Sequence, residues 1–514
     1  MTSRHYDVIV LGRSLGCLVA AALLARRDLR VLLLGQGERA PTYSYRGRRL
    51  ARRRFSVPYG DSVVWRRVLR DLAQSQTFRR LTKKLEPSYS VFGAERRVQV
   101  WSDAAQSSLE LSREFAEVKQ LCDELGQKSL ALGRALEEPL GSAQVCPPES
   151  MLEKLRARRY GQLAGIGEDA GGLLGKFPLD HPYRASVLVP AWFASDIDGP
   201  PTSVPALAFA RLGLALTSEP LAFEGGQDRF EDFWLEHLRA HGGTCELGER
   251  ATELCVKNRR VTAVRCAGTD ELIGADSVLA NLSGQTLREL ARGEGLRWSA
   301  ERAWPELRAG AGRFVMSCIV KAALLPEPLG QESFILPERG SAGRELGPAL
   351  HLQCLPAEGT PDERLLVLET IVPASELGRV RELRRTLLER LRRELPFLDR
   401  HLVAVDSPHD GLPLDWYSDG KPEPIERRQL EGASNAAEPL ERRWHSEQWG
   451  FLGLAAESVR GPIRGTYLVG KTVLPPLGEE GELVAAWSAA QLVTGKDAHR
   501  QKRRRQMWSK LDPE

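Results

Sequence analysis

The chain of 514 residues holds about three domains' worth of material at roughly 150 residues per domain. Its 72 Lys and Arg against 68 Asp and Glu leave a net charge of +4, too small for this length to make nucleic acid or a membrane surface the default partner. With 42% apolar and 27% charged residues, the composition is that of a soluble globular protein and excludes a wholly disordered, collagen-like or multi-span membrane chain.

The eight cysteines (17, 122, 146, 245, 255, 266, 318 and 354) form no Cys-x-x-Cys pair and have no His at zinc-ligand spacing. Reduced thiols in the cytoplasm are expected, with no disulfide framework and no metal site. An apolar run reaches Leu24, but Asp7, Gly12, Arg13 and Ser14 interrupt it, so it reads neither as a signal peptide nor as a membrane span. Residues 6–11 are instead β-branched and aliphatic, predicting a buried parallel strand; a turn at Gly12–Gly16, a helix over 18–25 and a second strand over 31–34 complete a βαβ unit.

Next comes a densely basic run, Arg46–Arg54, which reads either as a solvated loop or as a face for a phosphate-bearing or acidic partner. Phe115, Val118, Cys122, Leu125, Leu132 and Leu136 recur at helical spacing and predict a core-facing stripe. Gly225-Gly226 precedes a helix carrying Phe230, Phe233, Leu235 and Leu238; Gly242-Gly243 ends it, and a strand begins at Cys245. Strands over 252–257 and 261–266 pair around a tight turn at Asn258, and residues 275–281 return as a further strand. Strands over 314–325 and 365–372, an Arg-rich amphipathic helix over 383–395, a strand over 466–469 and a helix over 483–493 complete the pattern. The stretch Asp406-Ser407-Pro408-His409-Asp410 reads as a turn, and the residues from Lys496 onward as a frayed basic tail.

Three separated segments resemble the phytoene desaturase and carotenoid isomerase branch of the flavin amine-oxidase superfamily. They are the Asp7–Leu34 unit, the stretch from Gly225-Gly226 to Ala275-Asp276-Ser277-Val278-Leu279-Ala280-Asn281, and Gly465–Gly470 followed by Pro475-Pro476-Leu477-Gly478-Glu479-Glu480-Gly481. The resemblance implies an α/β fold: a discontinuous Rossmann-like FAD/NAD(P)-binding domain from 1–75, 206–290 and 451–495, with an inserted α+β substrate-type domain from 76–205 and 291–450 and a basic tail over 496–514. It implies FAD as cofactor, with Gly12, Ser14, Gly16, Gln36, Ala251 and Gly470 along the nucleotide and Gly478 and Gly481 at the flavin-ring end. Ala251 is included because relatives offer adenine the backbone of that strand.

The fingerprint also departs from the family pattern. In a G-x-G-x-x-G turn the glycines allow the bend, the approach of the pyrophosphate and the packing of helix on strand; here those positions are Gly12, Ser14 and Cys17. The acidic residue that would accept from ribose hydroxyls is replaced by Gly35, so Gly35→Glu is expected to tighten FAD binding. Ala40–Tyr45 stands in for a Gly-Gly-Arg-type turn, and Gly470 is followed by Lys471, which would pair with a phosphate or reach solvent. Gly12-Arg13-Ser14-Leu15-Gly16 also matches a hydrolase nucleophile elbow as letters.

Two functions therefore stand open. One is an FAD-dependent oxidoreductase resembling phytoene desaturases and acting on an apolar polyene, lipid-like or amine substrate, in the cytoplasm or at a membrane periphery. The other is a cofactor-free binding or scaffold protein on a degenerate flavoprotein fold, as Rab GDP-dissociation inhibitors are. No catalytic residue is indicated by the sequence.

Overall fold

The second half of the strand Arg4–Leu11 is apolar because both of its faces are covered: Val8, Ile9, Val10 and Leu11 are fully buried. It pairs in parallel with Val31–Leu34 on one side, Val8 opposite Val31, and with Leu272–Ala280 on the other, Val8 opposite Ser277. This computed structural model describes residues 4–508 apart from 94–95, 143, 269, 327–328, 340–344 and 419. Among the described residues this first sheet has seven strands, in the order Ala251–Lys257, Arg260–Cys266, Leu272–Ala280, Arg4–Leu11, Val31–Leu34 and Thr244–Glu246, with Thr466–Leu468 added in parallel to Leu272–Ala280. The helix Leu15–Ala25 packs against the helices Gly226–Ala240 and Gly478–Trp508. It is buried at every residue but its first, which explains an almost wholly apolar sequence.

Among the described residues a second sheet of ten strands is built around the long strand Arg308–Lys321, which lies between Glu363–Val372 and Leu402–Asp406. Strict alternation sorts its two faces. Phe314, Met316, Cys318 and Val320 pack with Leu387 and Leu391 of the helix Val380–Glu394. Val315 and Ile319 lie on the opposite face with Tyr43, Leu50 and Val367. The fold is thus a Rossmann-like sheet, parallel except for the antiparallel strands Ala251–Lys257 and Arg260–Cys266 at one edge, coupled to a largely antiparallel sheet with a helix on its far face.

Several local expectations change. The basic run is an antiparallel hairpin, Thr42–Tyr45 with Arg48–Ala51, rather than a solvated loop. Its guanidiniums meet acids distant in sequence: Arg48 pairs with Glu363 at 2.8 Å, Arg52 with Glu438 at 2.8 Å and Arg54 with Glu369 at 3.4 Å. The Asp406–Asp410 segment is not merely a turn. Asp406 ends a strand, and Arg384 holds Asp406 and Asp410 at 3.1 and 2.7 Å in the interior. The stripe from Phe115 to Leu136 spans a break between the helices Ala104–Glu114 and Lys119–Ala135. The last helix continues to Trp508 because Lys496–Trp508 contains helix formers and no Pro or Gly; residues 509–514 of the expected tail lie outside the described residues. All eight cysteines are free. Among the described residues no helix is long and apolar enough to cross a membrane, and no cluster of three His, Cys, Asp or Glu could hold a metal ion.

Candidate functional site

The turn after the first strand is where a Rossmann-like fold collects backbone N–H groups for an anion. Gly12 N–H is used within the sheet, donating to Leu34 O at 2.9 Å. Arg13 N–H donates to Glu38 Oε2 at 2.9 Å, and the other oxygen of Glu38 accepts from the Asn281 side chain at 3.2 Å. One turn further, Gly16 N–H donates to Glu482 Oε2 at 2.9 Å. Two carboxyl groups of the protein itself therefore sit on the amides that a pyrophosphate would use. Ser14 Oγ caps the helix by accepting from Cys17 N–H at 3.4 Å, a structural role and not that of a nucleophile.

The nucleotide end is filled in a similar way. Gln36 lays its amide along the backbone of Ala251, donating from Nε2 to the carbonyl at 3.1 Å and accepting at Oε1 from the N–H at 2.9 Å. This is the backbone that the resemblance assigns to adenine. Gly35 is pressed onto the next strand, and a Cβ there would stand 1.9 Å from Leu247 O. Side-chain volume at 35 is excluded by backbone, so the missing acidic residue is part of how the sheet closes. Gly16 is equally confined, 1.8 Å from its Cβ position to Val469 O. This contact brings the end of the Thr466–Leu468 strand against the first turn.

At Gly470, expected along the nucleotide, a Cβ would stand 1.9 Å from Asn281 Oδ1, and at Gly478 and Gly481, the expected flavin-ring end, 2.0 and 2.4 Å from Ala194 O and Leu474 O. Beside them runs a buried ion network. Lys471, partly exposed, pairs with Asp196 at 3.3 Å and, more closely, with Glu441. Burial works against the lysine's charge, but the Asp196 and Glu441 carboxylates outweigh it and raise its pKa. Arg313 bridges Asp196 at 3.0 Å and Glu369 at 2.5 Å. Burial pushes Glu482 up to about 7, although Lys471 and the Gly16 amide favour its anion. Glu479 is also raised by burial, and its Oε2 has no hydrogen-bond partner among the described residues.

The predicted residues thus fall into three groups. Gly12, Ser14, Gly16 and Gly470 converge around Asn281, Glu38 and Glu482; Gln36 pairs with Ala251; Gly478 and Gly481 pack against Ala194 and Leu474. Sequence reading missed Glu38, Glu482, Asp196 and Arg313. A carboxylate three residues beyond the vacant acidic position was the one available signal, for Glu38. Tested against FAD, two parts of the inherited cleft are taken up by the protein's own side chains: the amides of Arg13 and Gly16 by Glu38 and Glu482, and the backbone edge of Ala251 by Gln36.

No family model matches the chain, and no curated protein matches it in sequence. Solved structures do match in fold. An oxidoreductase from Methanosarcina mazei has a TM-score of 0.57 at 15% identity, covering 94% of this chain and 99% of its own. Putrescine oxidase bound to putrescine has a TM-score of 0.58 at 12% identity, covering 96% and 99%. A Rab GDI from Plasmodium falciparum has a TM-score of 0.51 at 10% identity, covering 95% and 98%. At such identities the likeness shows the fold alone. The chain has the mixed α/β fold of FAD-binding oxidoreductases, a Rossmann-like sheet with a substrate-type domain.

Proposed function

We propose that this chain is a cofactor-independent binding protein on a flavoprotein fold rather than an FAD-dependent oxidoreductase. The observation that carries this reading is the substitution of protein groups for nucleotide groups: Glu38 and Glu482 on the amides of the first turn, Gln36 on both polar atoms of Ala251. Flavin enzymes take their redox chemistry from the cofactor, so a desaturase-like activity requires room for it. Here entry of FAD would displace two buried or partly buried carboxyl groups and the Gln36 pair together. The fold does not argue against the reading, since a protein named as a Rab GDI shares it.

The test is direct. The full chain, purified without added flavin, is expected to be colourless, to give no heat on calorimetric titration with FAD, and to gain no thermal stability from millimolar FAD. A yellow preparation with one flavin per chain would overturn the reading and restore the oxidoreductase with its apolar substrate.

A further inference from the structure

Single exposed apolar side chains need no explanation, but three on the outward face of one short helix do. The helix Met151–Ala157 is fixed first by its own sequence: Ser150 Oγ accepts from the Glu153 N–H at 3.3 Å, and Glu153 Oε2 accepts from the Ser150 N–H at 2.9 Å. Glu153 also fastens the helix to the body of the molecule through Arg460 at 2.5 Å, and Ala157 is buried beneath it. A surface helix with such an inner face ordinarily turns polar residues outward. This one does the reverse. At about 100° per residue, Met151, Leu155 and Leu152 share an arc of about 100° on the side opposite Ala157. They are 90%, 62% and 58% exposed.

The rim of that arc is basic. Lys154 and Arg158 fall on one flank and Arg156 on the other. All three are exposed, and none meets a carboxylate among the described residues. The acids nearest in sequence are committed elsewhere: Glu149 to Arg297 at 2.5 Å, Glu153 to Arg460, and Glu138 to Arg159 at 2.6 Å. Arg297 also brings in a fourth apolar side chain. It precedes Trp298, which is 61% exposed, so its pairing with Glu149 sets the segment bearing that indole beside the N-terminal end of the helix. Arg302 lies over the indole at 3.8 Å.

Outward Met and Leu side chains, unpaired cations on both flanks and a neighbouring Trp are complementary to a lipid surface: the apolar groups enter the boundary between headgroups and acyl chains, and anionic headgroups neutralise the cations. A second copy docked symmetrically on this face would bring the same three cations against one another. The net charge of +4 does not oppose a local attraction, which acts only within a Debye length of about 8 Å. We propose that the face of Met151, Leu152 and Leu155, rimmed by Lys154, Arg156 and Arg158, docks the protein onto an anionic lipid surface, lying in the interface without spanning it.

The test is cosedimentation of the full chain with phosphatidylcholine vesicles that contain or lack about one-third phosphatidylserine. Binding is expected to be at least about tenfold tighter to the anionic vesicles and to weaken as salt is raised. Leu152→Ser with Leu155→Ser should weaken binding to anionic vesicles by about tenfold or more. Lys154→Gln, Arg156→Gln and Arg158→Gln together should cut the preference for anionic vesicles by about tenfold. All five side chains are exposed, so both variants should melt with the wild type. No binding to either vesicle, equal binding to both, or undiminished binding by the double serine variant would overturn the proposal. So would a wild-type dimer that the two serines dissociate, which would assign the face to a second copy of the chain.

Discussion

Replacing Glu482 by Gln isolates the carboxyl group that occupies the first helix's N-terminus. Glu482 is 2% exposed, and burial raises its pKa from 4.5 to about 7. A carboxyl group raised in the folded state holds its proton more tightly there than in the unfolded chain, so folding stability falls as pH rises between those values and levels off above about 7. At 1.36 kcal/mol per pH unit, the interval from 4.5 to about 7 corresponds to roughly 3 kcal/mol. Glu482→Gln keeps an oxygen for the Gly16 N–H but removes the titration. The variant should match wild type in urea denaturation near pH 4.5 and exceed it by up to about 3 kcal/mol at pH 8. Other buried acids, Glu479 and Glu457 among them, are also raised and shape both curves, so the difference between the curves is the observable. Parallel stability curves across this range would refute the assignment of Glu482 as a buried, late-ionising group.

Gly35→Glu, which sequence reasoning offers as a restored ribose ligand, should instead destabilise by about 3 kcal/mol or more through overlap with Leu247 O, with no gain in FAD affinity; denaturation and fluorescence titration of one preparation check both. Asp406→Asn should lose about 3–5 kcal/mol in chemical denaturation, because Arg384 and Arg427 lose a buried carboxylate at 3.1 and 3.3 Å and Tyr43 a charged acceptor. A loss below about 1 kcal/mol would show that this network is not acting as a buried ion cluster.

The βαβ unit was legible in the sequence because each of its signals is local. An apolar run covered on both faces, a glycine turn and a helix of Leu, Val and Ala lie within Arg4–Leu34 and need no distant partner. The hairpin between Ala251 and Cys266 was legible for the same reason, since Asn258 and Arg259 take up positive φ values of 52° and 58° between two β-rich runs. What fills the dinucleotide cleft was not legible. Glu38 returns to the turn only because Gln36 adopts φ of +54° and Glu38 N–H closes onto Gly35 O at 2.9 Å. Gln36 meets Ala251 from 215 residues away, and Glu482 meets Gly16 from 466. The same holds for Arg48, Arg52 and Arg54, whose run looks solvated until the second sheet and its loops bring Glu363, Glu438 and Glu369 to them. Fold class follows from periodicity and turn chemistry, which the chain carries locally. Whether a cleft is open or filled depends on which buried hydrogen-bonding groups find partners across the sheets, and only the tertiary structure decides those pairings.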